Sequence, residues 1–235
     1  MKKGTWAAAF RAAFPHTIPI FAGFTFLGLT YGILMNVNGF PFWYPILVSV
    51  TVFAGSMQFV SVNLLLAAFD PVQTFLMTLM INARHLFYGV TMLEKYRATG
   101  RKQFYLIFGM CDETFSINCA VDAPKGVDSG KFMTCVTLLN QIYWVTGSTL
   151  GGIFGSLIQF NTEGLDFAMT ALFVVIFVEQ WLKESDHTVA LLGLALPVAC
   201  LLIFGADSFM IPAMLAILAA LLCFRKVFDK GGQPA

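Results

Sequence analysis

Charge is what this chain has least of. Of its 235 residues only 11% are Asp, Glu, Lys or Arg, against about 25% in an ordinary soluble domain. Fourteen basic and thirteen acidic residues leave a net charge of +1, which excludes the strong positive field that draws in nucleic acid. Cysteine is sparse too. Cys111, Cys119, Cys135, Cys200 and Cys223 are odd in number, widely spaced and set in apolar surroundings, a pattern unlike a disulfide framework or a zinc site. They read as small hydrophobic fillers. Also missing are a Walker A loop, a G-x-S-x-G elbow, an H-E-x-x-H pair and a dinucleotide fingerprint. No soluble-enzyme chemistry is indicated, no ATP use by a P-loop, and neither a cofactor nor a metal is expected. The start, MKKGTWAAAFRAAFPH, lacks the unbroken apolar core of a cleaved signal, because Arg11 and His16 interrupt it.

Apolar residues fill the space that charge leaves. They make up 58% of the chain, with 25 phenylalanines among them. A soluble fold of this size has too little polar surface to cover so much apolar material, whereas lipid on the outside removes the difficulty. A membrane crossing takes about 20 apolar residues. The expected fold is therefore an all-α polytopic membrane protein with about six to eight segments. Apolar runs fall near 17–35, 42–69, 72–93, 104–121, 132–159, 166–182, 188–204 and 208–224, separated by turn signals or charged loops such as Glu94 to Lys102. Before them, Trp6, Phe10 and Phe14 recur at helical spacing, so residues 1–16 read as an interfacial amphipathic helix.

Two runs, 42–69 and 132–159, are longer than one crossing requires, and each holds Gly-Ser near its middle: Gly55-Ser56 and Gly147-Ser148. A tilted long helix is one reading. The sharper expectation is a helix broken or re-entrant at Gly-Ser, with backbone groups exposed to a ligand inside a protein-lined cavity. A shift of 92 residues superposes the two Gly-Ser pairs and also places Phe75-Leu76-Met77-Thr78 on Phe167-Ala168-Met169-Thr170. This suggests a weak two-fold repeat with approximate halves 17–121 and 122–183, followed by C-terminal segments in 188–224, all within one transporter domain. Lys2, Lys3 and Arg11, then Lys95, Arg97, Arg101 and Lys102, then Arg225, Lys226 and Lys230 are cytoplasmic by the positive-inside rule. That rule requires an even number of crossings between residues 11 and 95, which a re-entrant second segment satisfies.

Charges inside hydrocarbon cost about 2.5–3.5 kcal/mol each on insertion scales, so those retained there are functional candidates. One cluster is Asn82, Arg84 and His85. Arg84 offers a planar fork that fits a carboxylate, and His85 can exchange a proton near neutral pH. Snorkelling of Arg84 and His85 to the headgroups is the bland alternative. The other cluster is Asp112, Glu113 and Thr114. Adjacent helical positions point about 100° apart, so one carboxylate can meet a cation such as Arg84 while the other faces a cavity. A structural Asp–Arg pair holding two helices together is the alternative here. Gln58 and Ser61 follow the first Gly-Ser, and Asn140 and Gln141 precede the second; they are ligand-binding amides or interhelical hydrogen-bonding groups. Gly147, Gly151 and Gly155 form a small-residue stripe suited to close helix contact, and Gly28 and Gly32 repeat it in the first segment. The binding candidates are thus Asn82, Arg84, His85, Asp112, Glu113, Thr114, Gly55, Ser56, Gln58, Gly147 and Ser148, with no catalytic or metal site.

In this order, FAGSMQF (53–59), NARHLFYG (82–89) and DETF (112–115) resemble the AzlC/YgaZ family, the large subunits of branched-chain amino acid exporters. The resemblance runs from about Phe10 to about Phe224. It implies a multi-pass secondary carrier in the bacterial inner membrane that exports valine, leucine, isoleucine and in some members methionine. It further implies a small AzlD/YgaH-type membrane subunit as partner. Two clusters of opposite charge suit a zwitterionic substrate, with Arg84 or a helix N-terminus for its carboxylate and Asp112 or Glu113 for its ammonium or a coupling proton. A channel, an accessory membrane subunit and an intramembrane enzyme are the competing readings.

Overall fold

A computed structural model describes residues 4–68, 70–157, 187–205 and 209–223, together with individual helical positions between 167 and 182. The chain divides into two compact units, Met1–Met169 and Thr170–Ala235. Every described element is helical, as the scarcity of charge and the absence of alternating patterns require.

The first unit is built on two long helices. α1 spans Trp6–Val37; the Thr5 hydroxyl caps its start by accepting from the Ala8 amide at 3.3 Å. α8 spans Ser129–Leu157. The two make the most extensive helix–helix contact in the molecule. Glycines permit it. A Cβ on Gly28 would lie 2.7 Å from the Trp144 carbonyl oxygen, and one on Gly147 would lie 2.6 Å from that of Thr25. Gly32 and Gly151 approach the carbonyls of Ser148 and Leu29 more closely still. Close approach of this kind gains dispersion contacts that lipid does not offer at the same density. Tyr31, Met35, Phe132, Met133 and Val136 fill the seam and are essentially buried.

Six shorter α-helices lie among the described residues of this unit: α2 (Trp43–Thr51), α3 (Gly55–Leu66), α4 (Pro71–Asn82), α5 (Arg84–Arg97), α6 (Gln103–Phe108) and α7 (Asp112–Ala120). They pair up along the sequence. The run 42–69 is broken between α2 and α3, where Phe53 takes φ 43, a left-handed conformation that bulky residues rarely adopt. The run 72–93 is interrupted at Ala83 and the run 104–121 at Gly109–Cys111. In the second unit, α9 (Thr188–Phe204) and α10 (Met210–Cys223) pack on each other, and Gly205 at the end of α9 takes a φ of 75 that favours glycine.

These bounds correct several expectations. The interfacial piece and the first apolar run form one uninterrupted helix from Trp6, with Pro15 and Pro19 inside it; the exposed Trp6, Phe10 and Phe14 do share a face as expected. The break at Gly55-Ser56 is present, since α3 begins there. The break at Gly147-Ser148 is not: α8 passes straight through, because Gly147 serves the contact with α1. The two Gly-Ser pairs proposed as repeat equivalents thus have different local structures, and most of 167–170 lies outside the described residues. Most of the expected segments are not single long helices among the described residues. Among the described residues α1 alone is long and apolar enough to cross a membrane by itself, because three of the expected spans are divided into helices of 6 to 14 residues.

Candidate functional site

Interruption of a helix strands backbone groups. The first three or four amides of the new helix have no acceptor within it, and its start carries a partial positive charge. α3 and α7 each begin this way. Their first intrahelical bonds are donated by Gln58 to the Ala54 carbonyl and by Phe115 to the Cys111 carbonyl, both at 2.8 Å. Arg84 opens α5 and reaches both. Its Nη2 donates to Ser56 Oγ at 2.9 Å and lies 3.2 Å from Asp112 Oδ2. One guanidinium therefore ties together the first turns of three helices. The ion pair is neither sealed nor fully wet, with side chains 34% and 30% exposed. Asp112 Oδ1, although buried, meets no hydrogen-bond donor among the described residues. The two acids in the first turn of α7 also complement its dipole.

The breaks touch elsewhere too. The Phe53 ring lies 3.8 Å from the Cβ position of Gly109, so the strained residue of the first break packs on the third. Beneath them is a buried polar lattice. Trp144 Nε1 donates to Gln58 Oε1 at 2.9 Å, Gln58 Nε2 donates to Ser49 Oγ at 3.0 Å, and Ser49 Oγ donates to Ser148 Oγ at 2.9 Å. Ser148 Oγ in turn donates to the Trp144 carbonyl at 2.9 Å. Gln58, Ser49 and Ser148 have no exposed surface. Gln58 is thus the clamp that holds the start of α3 against α8. Gln58→Leu removes an acceptor from the Trp144 indole and a donor from Ser49. Leaving buried polar groups unpaired costs about 1–3 kcal/mol each, so the purified variant is expected to unfold at a distinctly lower temperature than the parent chain. Gln58→Glu, which keeps the acceptor for the indole, should lose less.

On the far side of α7, Asn140 Nδ2 donates to Thr114 Oγ1 at 3.0 Å, and Asn118 Nδ2 donates to Tyr96 Oη at 3.2 Å. Both asparagines are completely buried and keep a side-chain oxygen that meets no donor among the described residues. Beside the ion pair, Tyr88 stacks on Phe115 with ring centres 4.3 Å apart, and His85 meets Tyr88 edge-on at 5.6 Å.

A family model described as AzlC protein matches residues 19–158. The chain belongs to the AzlC family. It is 62% identical over 223 residues to the "Branched-chain amino acid transport protein AzlC" of Bacillus subtilis (strain 168), covering 95% of this chain and 88% of that one. An "Uncharacterized membrane protein" of Haemophilus influenzae is 46% identical over 210 residues, covering 89% and 86%. "Inner membrane protein YgaZ" of Escherichia coli (strain K12) is 24% identical over 221 residues, covering 92% and 88%. No solved structure matches. The matched stretch contains all three breaks and both partners of the central ion pair.

Within this AzlC-family chain the eleven expected site residues separate into groups. Ser56, Arg84 and Asp112 converge, and Gly55 lies beside them against the Trp144 ring, 3.1 Å from its own Cβ position. Gln58 and Ser148 belong to the buried lattice, Gly147 to the α1–α8 seam, and Thr114 to the Asn140 contact. Glu113 is half-buried and joins no ion pair among the described residues. Asn82 ends α4 and His85 stands in the first turn of α5, on either side of the interruption at Ala83. His85 Nδ1 lies 3.1 Å from the Asn82 carbonyl, and both residues line a separate apolar cavity. Sequence reasoning missed Phe53, Ser49, Trp144, Tyr88 and Asn118. For Phe53 no local signal exists, and for the others the signal lies in partners far along the chain.

Proposed function

We propose that the chain is a secondary carrier that exports branched-chain amino acids across the bacterial inner membrane, coupled to protons, as the large subunit beside a small AzlD/YgaH-type partner. The observation that carries this reading is Arg84 bridging Ser56 and Asp112 where three helices start. A zwitterion needs one group for its carboxylate and one for its ammonium. Arg84, flanked by the unfilled first turns of α3 and α7, suits the carboxylate. Entry of a substrate carboxylate displaces Asp112 from Arg84. The released Asp112, with Glu113 beside it, then takes the ammonium or a proton. Tyr88, Phe115 and Phe53 supply an apolar wall for the aliphatic side chain.

Depth supports the reading. Arg84 lies eleven residues before Lys95 on α5, a rise of about 16 Å, and one leaflet of hydrocarbon is about 15 Å thick. With Lys95 at the headgroups, Arg84 sits near the midplane, where substrate sites of secondary carriers lie. The name of the Bacillus subtilis relative and the inner-membrane name of the Escherichia coli one agree with substrate and location. The test is efflux of labelled leucine, isoleucine and valine from loaded cells with and without this gene and the gene of its small partner. Faster efflux that saturates and supports counterflow is expected. Flux that rises linearly with concentration and shows no counterflow would instead establish a pore. Unchanged efflux when both genes are present rules the reading out.

A further inference from the structure

A cavity of about 630 Å³ runs along α4, α5 and the start of α6. Its lining includes Phe75, Asn82, His85, Leu86, Val90 and Arg97. The wall residues are among the most exposed apolar side chains of the first unit: Val90 is 76% exposed, and Phe75 and Leu86 are each 65% exposed. Membrane burial covers such faces with lipid by default. Three features make this groove more specific.

The first is shape. The lining comes from α4, α5 and residues 103–110 together, so this is a cavity and not a flat helix face. Length is the second. From His85 to Arg97 the helix rises about 18 Å, close to the roughly 15 Å of one hydrocarbon leaflet. The third is charge. The segment Glu94–Lys102 holds four cations and one anion. Lys95 pairs with Asp122 at 3.1 Å and Lys102 lies 3.9 Å from Asp128. Arg97 and Arg101 enter no ion pair among the described residues, and both are exposed.

We infer that this groove is a binding site for one anionic glycerophospholipid of the cytoplasmic leaflet, with an acyl chain in the slot and the phosphate at Arg97 and Arg101. A groove with apolar walls, Arg97 in its lining and Arg101 close by in sequence matches the two halves of that ligand. Asn82 and His85, which line the groove, immediately flank the break that presents Arg84, so a bound acyl chain passes the α4–α5 junction.

The test uses the full chain with its membrane partner, purified and titrated with phosphatidylglycerol or phosphatidylcholine, with bound lipid counted by native mass spectrometry. Retention of one phosphatidylglycerol in preference to phosphatidylcholine is expected. Arg97→Gln and Arg101→Gln should each lower that preference about five-fold. Val90→Trp, which fills the slot, should remove both lipids, whereas Phe104→Trp should not; Phe104 is 71% exposed but does not line the groove. These positions are at the surface, so the substitutions leave the core intact. Equal retention of the two lipids, a preference unchanged in both arginine variants, or photo-crosslinks from position 90 to a protein in place of lipid would overturn the assignment.

Discussion

Arg84→Gln and Asp112→Asn are each expected to lower the initial rate of branched-chain amino acid efflux on the order of 30-fold or more. The figure follows from losing about 2 kcal/mol of charge-assisted binding at a partly desolvated site. Neutralising one partner also leaves the other half-buried without its counter-charge, so each single variant should accumulate less well in the membrane. The double variant Arg84→Gln/Asp112→Asn separates the two effects. It removes both charges together and should regain membrane accumulation while remaining inactive. If the pair only braces α5 against α7, accumulation and efflux will recover together. Initial rates normalised to the amount of inserted protein decide between these outcomes, and recovery of efflux in the double variant would sink the transport role assigned to the pair.

Gly151→Leu is expected to abolish accumulation of folded protein. Its Cβ would collide with the Leu29 backbone, and backbone cannot step aside as a flexible side chain can. Overpacking of a tight contact costs about 1–3 kcal/mol, occasionally more, and here the strain falls on the seam between the two longest helices. Gly23→Leu is the matched control. Gly23 lies in α1 as well, but a Cβ there meets nothing within 4 Å. Monodisperse yield after mild heating should collapse for Gly151→Leu and stay near that of the parent for Gly23→Leu. Comparable yields from the two variants would mean that the glycine seam is not what holds α1 to α8.

The contrast between those glycines also shows what the sequence could and could not convey. Membrane class followed from composition because solvation of an apolar surface depends on amounts and not on order. The first helix break was visible as Gly55-Ser56 in an overlong run. The same dipeptide at 147 misled, because glycine has two uses: it weakens a helix, and it lets two backbones approach. The stripe Gly147, Gly151 and Gly155 already favoured the second use. The break before Asp112 was legible in principle as Gly109 followed by first-turn acids, a common helix start; treating the acids only as ligands hid it. The interruption at Ala83 was not legible, since alanine is the best helix former and the chain is held there by Arg84 reaching residues 28 positions away in each direction. The clamp of Gln58 on Trp144 was equally hidden, because its partners stand 86 residues apart.

The glycine seam restricts how such a carrier can cycle. It fastens α1 to α8 backbone against backbone. Any motion that separates these two helices would have to prise apart backbones already in contact. The short helices are instead separated from one another at residues 52–54, 83 and 109–111. On the carrier reading proposed above, opening to one side and then the other falls to these few jointed struts, flexing against a fixed spine.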